Sequence, residues 1–274
     1  VYVRYKQARD IAVNLVELHS RLIATNVRNN ADMTFTLINT LPQKREDTVL
    51  VKTYVPGGKF AIVDEKGNHI DYTIIESRDL TDYVLSQTIK LNPSRKFYVP
   101  QQVLEVTMAI KSQDVPALGY VQYTLDTEND SHKEMEEKSL LENDYYAITV
   151  EKDGSLTILD KKCNKTYKNQ AIIVENGDDG DSFNYSPPRK DLEVFSNKSK
   201  NTVKVSGSDI YNQAVIHFDM TVPADLEERA EGKVSTVMPV DMTVALRKGS
   251  KVIDFNVKVD NKGLSHRLCV LFDS

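Results

Sequence analysis

Two spacings of apolar residues divide this chain. Near its start, Ile11, Leu15, Leu18 and Leu22 recur along one face of a helix. Arg4, Lys6, Arg9, Asp10 and Glu17 occupy other positions, and Asn26 with Asn29-Asn30 supplies a stop. This pattern predicts a helix over residues 1–26. No N-cap residue precedes it, and a helix of this kind needs a partner surface. It therefore reads as the last helix of a bundle, and the chain as a fragment of a longer protein.

From about residue 33 the spacing becomes two, the period of a half-buried strand. Short strands are predicted at Phe35 to Ile38, Val49 to Val55, Phe60 to Val63 and His69 to Ile74. Others follow at Lys96 to Val99, Gln102 to Ile110 and Gly119 to Leu125. Turn residues separate them, Asp64-Glu65-Lys66-Gly67-Asn68 being a hairpin signal. Closely spaced short strands indicate an antiparallel sandwich.

Residues 126–138 are polar, acid-rich and unpatterned, which marks a linker. Alternation resumes beyond Asn143, where Tyr145 to Glu151 and Ser155 to Asp160 flank the turn Lys152-Asp153-Gly154. Val203 to Val205, Ala214 to Val222, Lys233 to Leu246 and Lys251 to Val259 follow, and Arg267 to Phe272 forms a last apolar strand. Their length points to a large sheet that would normally continue. Little helix is expected after the first segment.

Composition narrows the function classes. The chain has 274 residues, 40% of them hydrophobic, enough for real cores. A net charge of -5 with scattered Lys and Arg argues against nucleic acid, whose phosphates require clustered cations. Cys163 and Cys269 are the two cysteines, and free thiols in a reducing compartment fit them better than a bridge. No apolar run is long enough to span a bilayer.

One loop stands apart. Residues 176–188 read Asn-Gly-Asp-Asp-Gly-Asp-Ser-Phe-Asn-Tyr-Ser-Pro-Pro, with three carboxylates, two glycines and two aromatics between strands. Glycines permit sharp turns, and aromatic faces stack on sugars. Binding chemistry favours such loops on a β scaffold. The bland alternative is a solvated turn. Asp179 and Asp181 are too close in sequence to be a convincing glycosidase pair, although both could face one cavity. His266 and Arg267 follow a glycine turn at Asp260 to Ser265. They either donate to hydroxyls and carboxylates in a cleft or brace the loop. The five histidines lack zinc-ligand spacing, and no nucleophile elbow or phosphate loop is present.

An ordered set of short motifs carries a resemblance. It comprises Phe35-Thr-Leu-Ile-Asn39 with Pro42, Val115-Pro116-Ala-Leu-Gly119-Tyr120, and Leu141-Glu142-Asn143. Asp153-Gly154-Ser155-Leu156, Gly180-Asp181-Ser-Phe-Asn-Tyr185-Ser-Pro187, and Asp260-Asn261 before His266-Arg267-Leu268 complete it. Over nearly its whole length the chain resembles the middle and C-terminal portion of a family 38 glycoside hydrolase, an α-mannosidase. It looks most like the bacterial branch that includes mannosylglycerate hydrolase.

The resemblance implies a mainly β fold: a helix from a truncated three-helix bundle (1–30), a small immunoglobulin-like sandwich (31–125), a linker (126–138) and the first part of a galactose-mutarotase-like supersandwich (139–274). It also implies a retaining hydrolase with an Asp nucleophile, an acid carboxylate and a zinc ion gripping mannose hydroxyls. Those groups would lie upstream, so the implied partners are the catalytic domain and bundle of the same protein and a mannoside. No zinc is expected in this chain, no turnover by it alone, and a cytoplasmic location. What remains for it is one wall of the cleft, with Asp179, Asp181, Phe183, Tyr185, His266 and Arg267 as substrate-binding candidates. Phe183 stands where relatives often carry Tyr, Ser265 where they carry an acid, and Cys269 where they carry Arg. The first departure would lose a hydroxyl contact, for which Tyr185 could substitute, and the other two argue against a catalytic role for the His266-Arg267 turn. A second class stays open, a non-catalytic carbohydrate-binding or homo-oligomerising β module.

Overall fold

The computed structural model describes residues 2–27, 33–57, 59–88, 102–181 and 183–273. The strand expected at Lys96 to Val99 and the Asn29-Asn30 stop lie outside them. The chain is mainly β, with one N-terminal helix and several antiparallel sheets. It divides between Lys133 and Glu134 into two compact units.

The first unit opens with helix α1 (Tyr2–Asn26), none of whose residues is buried. Ile11, Leu15, Leu18 and Leu22 each stay about half exposed. Strands β1 (Thr34–Asn39), β2 (Arg45–Pro56), β3 (Ala61–Val63), β4 (His69–Ile70) and β5 (Tyr72–Asp79) follow. Helix α2 (Thr81–Thr88), β6 (Val103–Val115) and β7 (Gly119–Asp126) complete the unit. The sheets β1-β7-β3-β4 and β2-β6-β5 share a core of Val55, Phe60, Ile62, Ile70, Tyr72, Val106, Met108, Ile110 and Tyr123. Burying each large apolar side chain there is worth about 1.5–3 kcal/mol. Tyr72 stacks on Phe60 and donates its hydroxyl to the Phe60 carbonyl at 2.8 Å, so its polar tip is satisfied. Asn39 from the first quoted motif donates to the Pro116 carbonyl of the second at 2.9 Å.

Residues 131–133 dock on this unit: Ser131 Oγ donates to the Ile70 carbonyl and the Lys133 amide to that of Tyr72. In the second unit β8 (Glu136–Glu137) pairs with a strand edge. The unit continues through β9 (Leu141–Glu142), β10 (Tyr146–Val150), β11 (Leu156–Asp160), β12 (Lys165–Gln170), β13 (Ile172–Gly177) and β14 (Val194–Phe195). Then come β15 (Lys200–Gly207), β16 (Tyr211–Val222), helix α3 (Leu226–Glu231), β17 (Thr236–Arg247), β18 (Ile253–Val259) and β19 (His266–Leu271).

Its sheets run β12-β11-β10-β9, β14-β13-β19 and β18-β17-β16-β15-β8. The core takes alternate residues of the long strands: Ala214, Ile216, Phe218, Met220 and Val222 from β16, and Met238, Val240, Met242, Val244 and Leu246 from β17. Leu141, Ile148, Leu156 and Ile173 join them. Asn143 staples two connections. Its amide donates to the Arg247 and Ser250 carbonyls at 3.0 and 2.9 Å, and its oxygen accepts from the Tyr145 and Tyr146 amides at 2.9 and 2.8 Å. Among the described residues no helix is long and apolar enough to cross a membrane.

Candidate functional site

Strands β13 and β19 run antiparallel, with Asn176 opposite Arg267 and Gly177 opposite His266. This register brings two segments about ninety residues apart to one end of a sheet. The Asp178 amide donates to the Ser265 carbonyl at 2.9 Å. Ser265 holds φ 51°, the left-handed region that a residue with a Cβ seldom enters.

Two carboxylates of the 176–188 loop act on the loop's own backbone. Asp178 Oδ1 accepts from the Gly180 and Ser186 amides at 2.9 and 3.1 Å. These bonds, with the Arg267 charge adding to them, hold the Asp178 carboxyl below the usual carboxylate range. It is an ionised acceptor rather than a proton donor. Asp181 Oδ1 accepts from the Phe183 and Asn184 amides at 2.8 and 2.9 Å, an Asx-type turn. The Asp179 amide donates to the Ser186 carbonyl at 2.8 Å and closes the neck. A Cβ on Gly180 would lie 1.9 Å from the Asn184 carbonyl oxygen, so the loop folds this tightly only with glycine there.

The aromatic candidates differ. Phe183 is 92% exposed at the loop tip, a posture that no packing demand explains. Tyr185 is about half exposed and lies under Arg267, whose guanidinium carbon sits 3.5 Å from the ring centroid. Arg267 also donates through Nε to Asn176 Oδ1 at 2.9 Å, so two contacts fix its plane. Asp179, Asp181 and Arg267 are exposed, and Leu264 projects from the neighbouring turn.

His266 occupies a different setting. Its side chain is 5% exposed. Its ring nitrogens meet Glu175 Oε1 at 3.1 Å and Asn261 Oδ1 at 2.9 Å. It links the turn to the sheet interior through side-chain oxygens. Glu175 in turn pairs with Arg229 of α3, both fully buried. Sequence reasoning passed over Glu175, Asp191 and Arg229. Their signals were a carboxylate interrupting the apolar run Ile172-Ile173-Val174, and a helix signature from Asp225 to Gly232.

Exposed aromatic faces, fixed acceptors and an oriented guanidinium suit a polyhydroxylated ligand. Among the described residues no group of three or more His, Cys, Asp or Glu is arranged to hold a metal. A groove of about 610 Å³ beside β14, lined by Leu192, Val194, Phe195, Lys200, Asp219 and Thr221, involves none of the residues selected above.

No protein-family model matches the chain. A Halalkalibacterium halodurans protein named "Putative mannosylglycerate hydrolase" is 22% identical over 149 residues, covering 48% of this chain and 17% of that protein. Two solved structures share the fold across 98% of the chain at 18% identity. One is a protein in glycosyl hydrolase family 38 from Enterococcus faecalis, with TM-score 0.73 over 36% of its length. The other is an alpha-mannosidase from Enterococcus faecalis V583, with TM-score 0.71 over 35%. The chain thus spans about a third of those structures and a sixth of the curated relative.

Proposed function

We propose that this chain is part of a family 38 α-mannosidase, in which it supplies β scaffold and a portion of the substrate-cleft wall. The carrying observation is a fold shared along almost the whole chain with a protein in glycosyl hydrolase family 38 and with an alpha-mannosidase. The convergence of the 178–188 loop and the 264–267 turn supports the cleft-wall role. In this reading the hydrolysis proceeds with retention in polypeptide outside this chain. There an Asp nucleophile, an acid carboxylate and a zinc ion act on the glycosidic bond.

Within the chain, Phe183 and Tyr185 present aromatic faces to the sugar, and Asp179 and Asp181 accept from hydroxyls. Arg267 suits a finer specificity. Its plane is set by the Tyr185 stack and the Asn176 bond, which pre-organises the terminal nitrogens for a carboxylate such as that of mannosylglycerate. His266 serves the wall from behind.

The test uses the full-length protein that contains this sequence, assayed on p-nitrophenyl α-mannoside and on mannosylglycerate. Turnover of an α-mannoside is expected. Phe183→Ala is expected to raise KM on both compounds with kcat largely kept, the mark of lost ground-state and transition-state binding alike. Arg267→Met is expected to raise KM more on the anionic substrate. Absence of α-mannoside turnover, or sugar binding without cleavage, overturns the enzymatic reading and favours a binding module.

A further inference from the structure

Behind the loop lies a charged network that the proposed substrate contacts do not use. Arg229 on α3 is 2% exposed and Glu175 on β13 is fully buried. Arg229 Nη2 donates to Glu175 Oε1, and Nη1 donates to the Leu192 carbonyl and, at 3.3 Å, to Asp191 Oδ1. The same Asp191 oxygen accepts the Gly177 amide at 3.0 Å and the Leu192 amide at 2.8 Å. Glu175 Oε1 also meets His266, which reaches on to Asn261. One guanidinium thus ties the strand entering the loop, the segment leaving it, and, through Glu175, the turn that carries Arg267.

The packing is correspondingly tight. A Cβ on Gly177 would lie 2.6 Å from both Arg229 Cδ and Pro188 Cγ. Only glycine lets the last residue of β13 pass between them.

Stability alone is a poor reason for this arrangement. A buried ion pair is often no better than an apolar replacement of the same volume. Among the described residues, Arg229 Nε and Glu175 Oε2 are buried without a hydrogen-bond partner, which adds a desolvation penalty. What the network provides is geometry, because a rigid fork fixes three backbone segments at once.

We infer that Arg229 is the positioning residue of the cleft wall, with Glu175 and Asp191 as its anchors. It holds both stems of the 178–190 loop and the His266 turn, and so sets where Phe183, Tyr185 and Arg267 stand. The inference rests on the cleft-wall reading for its consequence on substrate, but not for its consequence on the loop.

Two variants test it in the full-length protein. Arg229→Lys keeps the charge and loses the fork, and Arg229→Met with Glu175→Gln removes the fully buried charge pair together, leaving the partly exposed Asp191 to its Gly177 and Leu192 amides. Backbone amide exchange is followed in peptides covering 177–190 and in peptides covering β16 and β17, alongside kcat and KM. Loss of a charge-assisted bond at the stems is expected to speed loop exchange about tenfold or more while β16 and β17 stay protected. KM is expected to rise with kcat largely kept, less for the lysine variant. Unchanged loop exchange overturns the inference, as does equal loss of protection throughout the second unit. Faster loop exchange with unchanged KM, where Phe183→Ala does raise KM, overturns it too. If Phe183→Ala also leaves KM unchanged, the cleft-wall reading falls while the positioning of the loop by Arg229 stands.

Discussion

Asn143 belongs to a motif that carried the family resemblance, and the structure gives it a mechanical task. Replacing it with alanine deletes four hydrogen bonds at once. Two join the β17–β18 connection, and two pin the turn into β10. All four are part-buried, so water can satisfy some of the abandoned groups. At a net value near 1 kcal/mol per bond, discounted for that access, Asn143→Ala should cost about 2–4 kcal/mol. For a unit of this size that corresponds to a fall of about 10 °C in thermal midpoint. Asn143→Asp separates the two halves of the staple. It keeps the acceptor that serves Tyr145 and Tyr146 but sets a carboxylate against two carbonyl oxygens, so at least half the loss should remain. The assay is urea unfolding followed by circular dichroism, with amide exchange to separate the units. Protection should fall in β10, β11 and β17 and stay constant in β2 and β6. A loss below about 1 kcal/mol for Asn143→Ala would refute the reasoning, because no net energy would then reside in the staple.

Two further outcomes follow from other positions. His217 bonds Asp241 at 2.7 Å and Asp219 at 3.2 Å, and these partners, Asp241 foremost, raise its pKa. Its contribution is therefore full below the unfolded value of about 6.5 and is lost as pH rises through the higher folded value. Urea midpoints of the second unit from about pH 5.5 to about pH 9 should show a decline that His217→Gln flattens. Gly180→Ala should force the loop open at the Asn184 carbonyl and weaken sugar binding, while unfolding of the second unit shifts by no more than about 0.5 kcal/mol, as for other surface changes. A variant with wild-type affinity would mean that the tight loop is irrelevant to binding.

Much of the architecture was legible because strand periodicity is local. The alternation in β16 and β17 puts every second residue in one core, and a period of two reads that directly. Strands β8, β9, β12 and β14 escaped because Lys165 to Gln170 is polar apart from Tyr167 and the other three, at two residues each, are too short to show a period. Helix α3 was missed although its signals stood in the sequence. Asp225 caps the Glu227 and Glu228 amides, and Gly232 ends the helix at φ 72°. Six residues are too few for an apolar stripe. Helix α2 is similarly short, and Asp79 accepts from Thr81 at its start.

For the site, composition singled out the 176–188 loop and the 260–268 turn. It could not reveal that the two meet, since only the β13–β19 register brings them together. Nor could it assign His266 to the interior. A histidine in a polar turn looks exposed until Glu175, ninety-one residues earlier, proves to be its partner.

The way the loop is fastened has a practical corollary. Its neck is shut by the Asp179–Ser186 bond and by the Asp178 carboxylate on Ser186, while Asp191 secures the stem below. Gly180, Asp181, Phe183, Asn184 and Tyr185 lie between the residues that make that closure. The tip therefore behaves as an exchangeable cassette. Libraries that randomise Phe183 and Asn184, or lengthen the segment by a residue or two, should still yield folded protein, because extending a closed loop adds little entropic cost. Selection from such libraries offers a route to altered sugar preference that leaves the sheets beneath untouched.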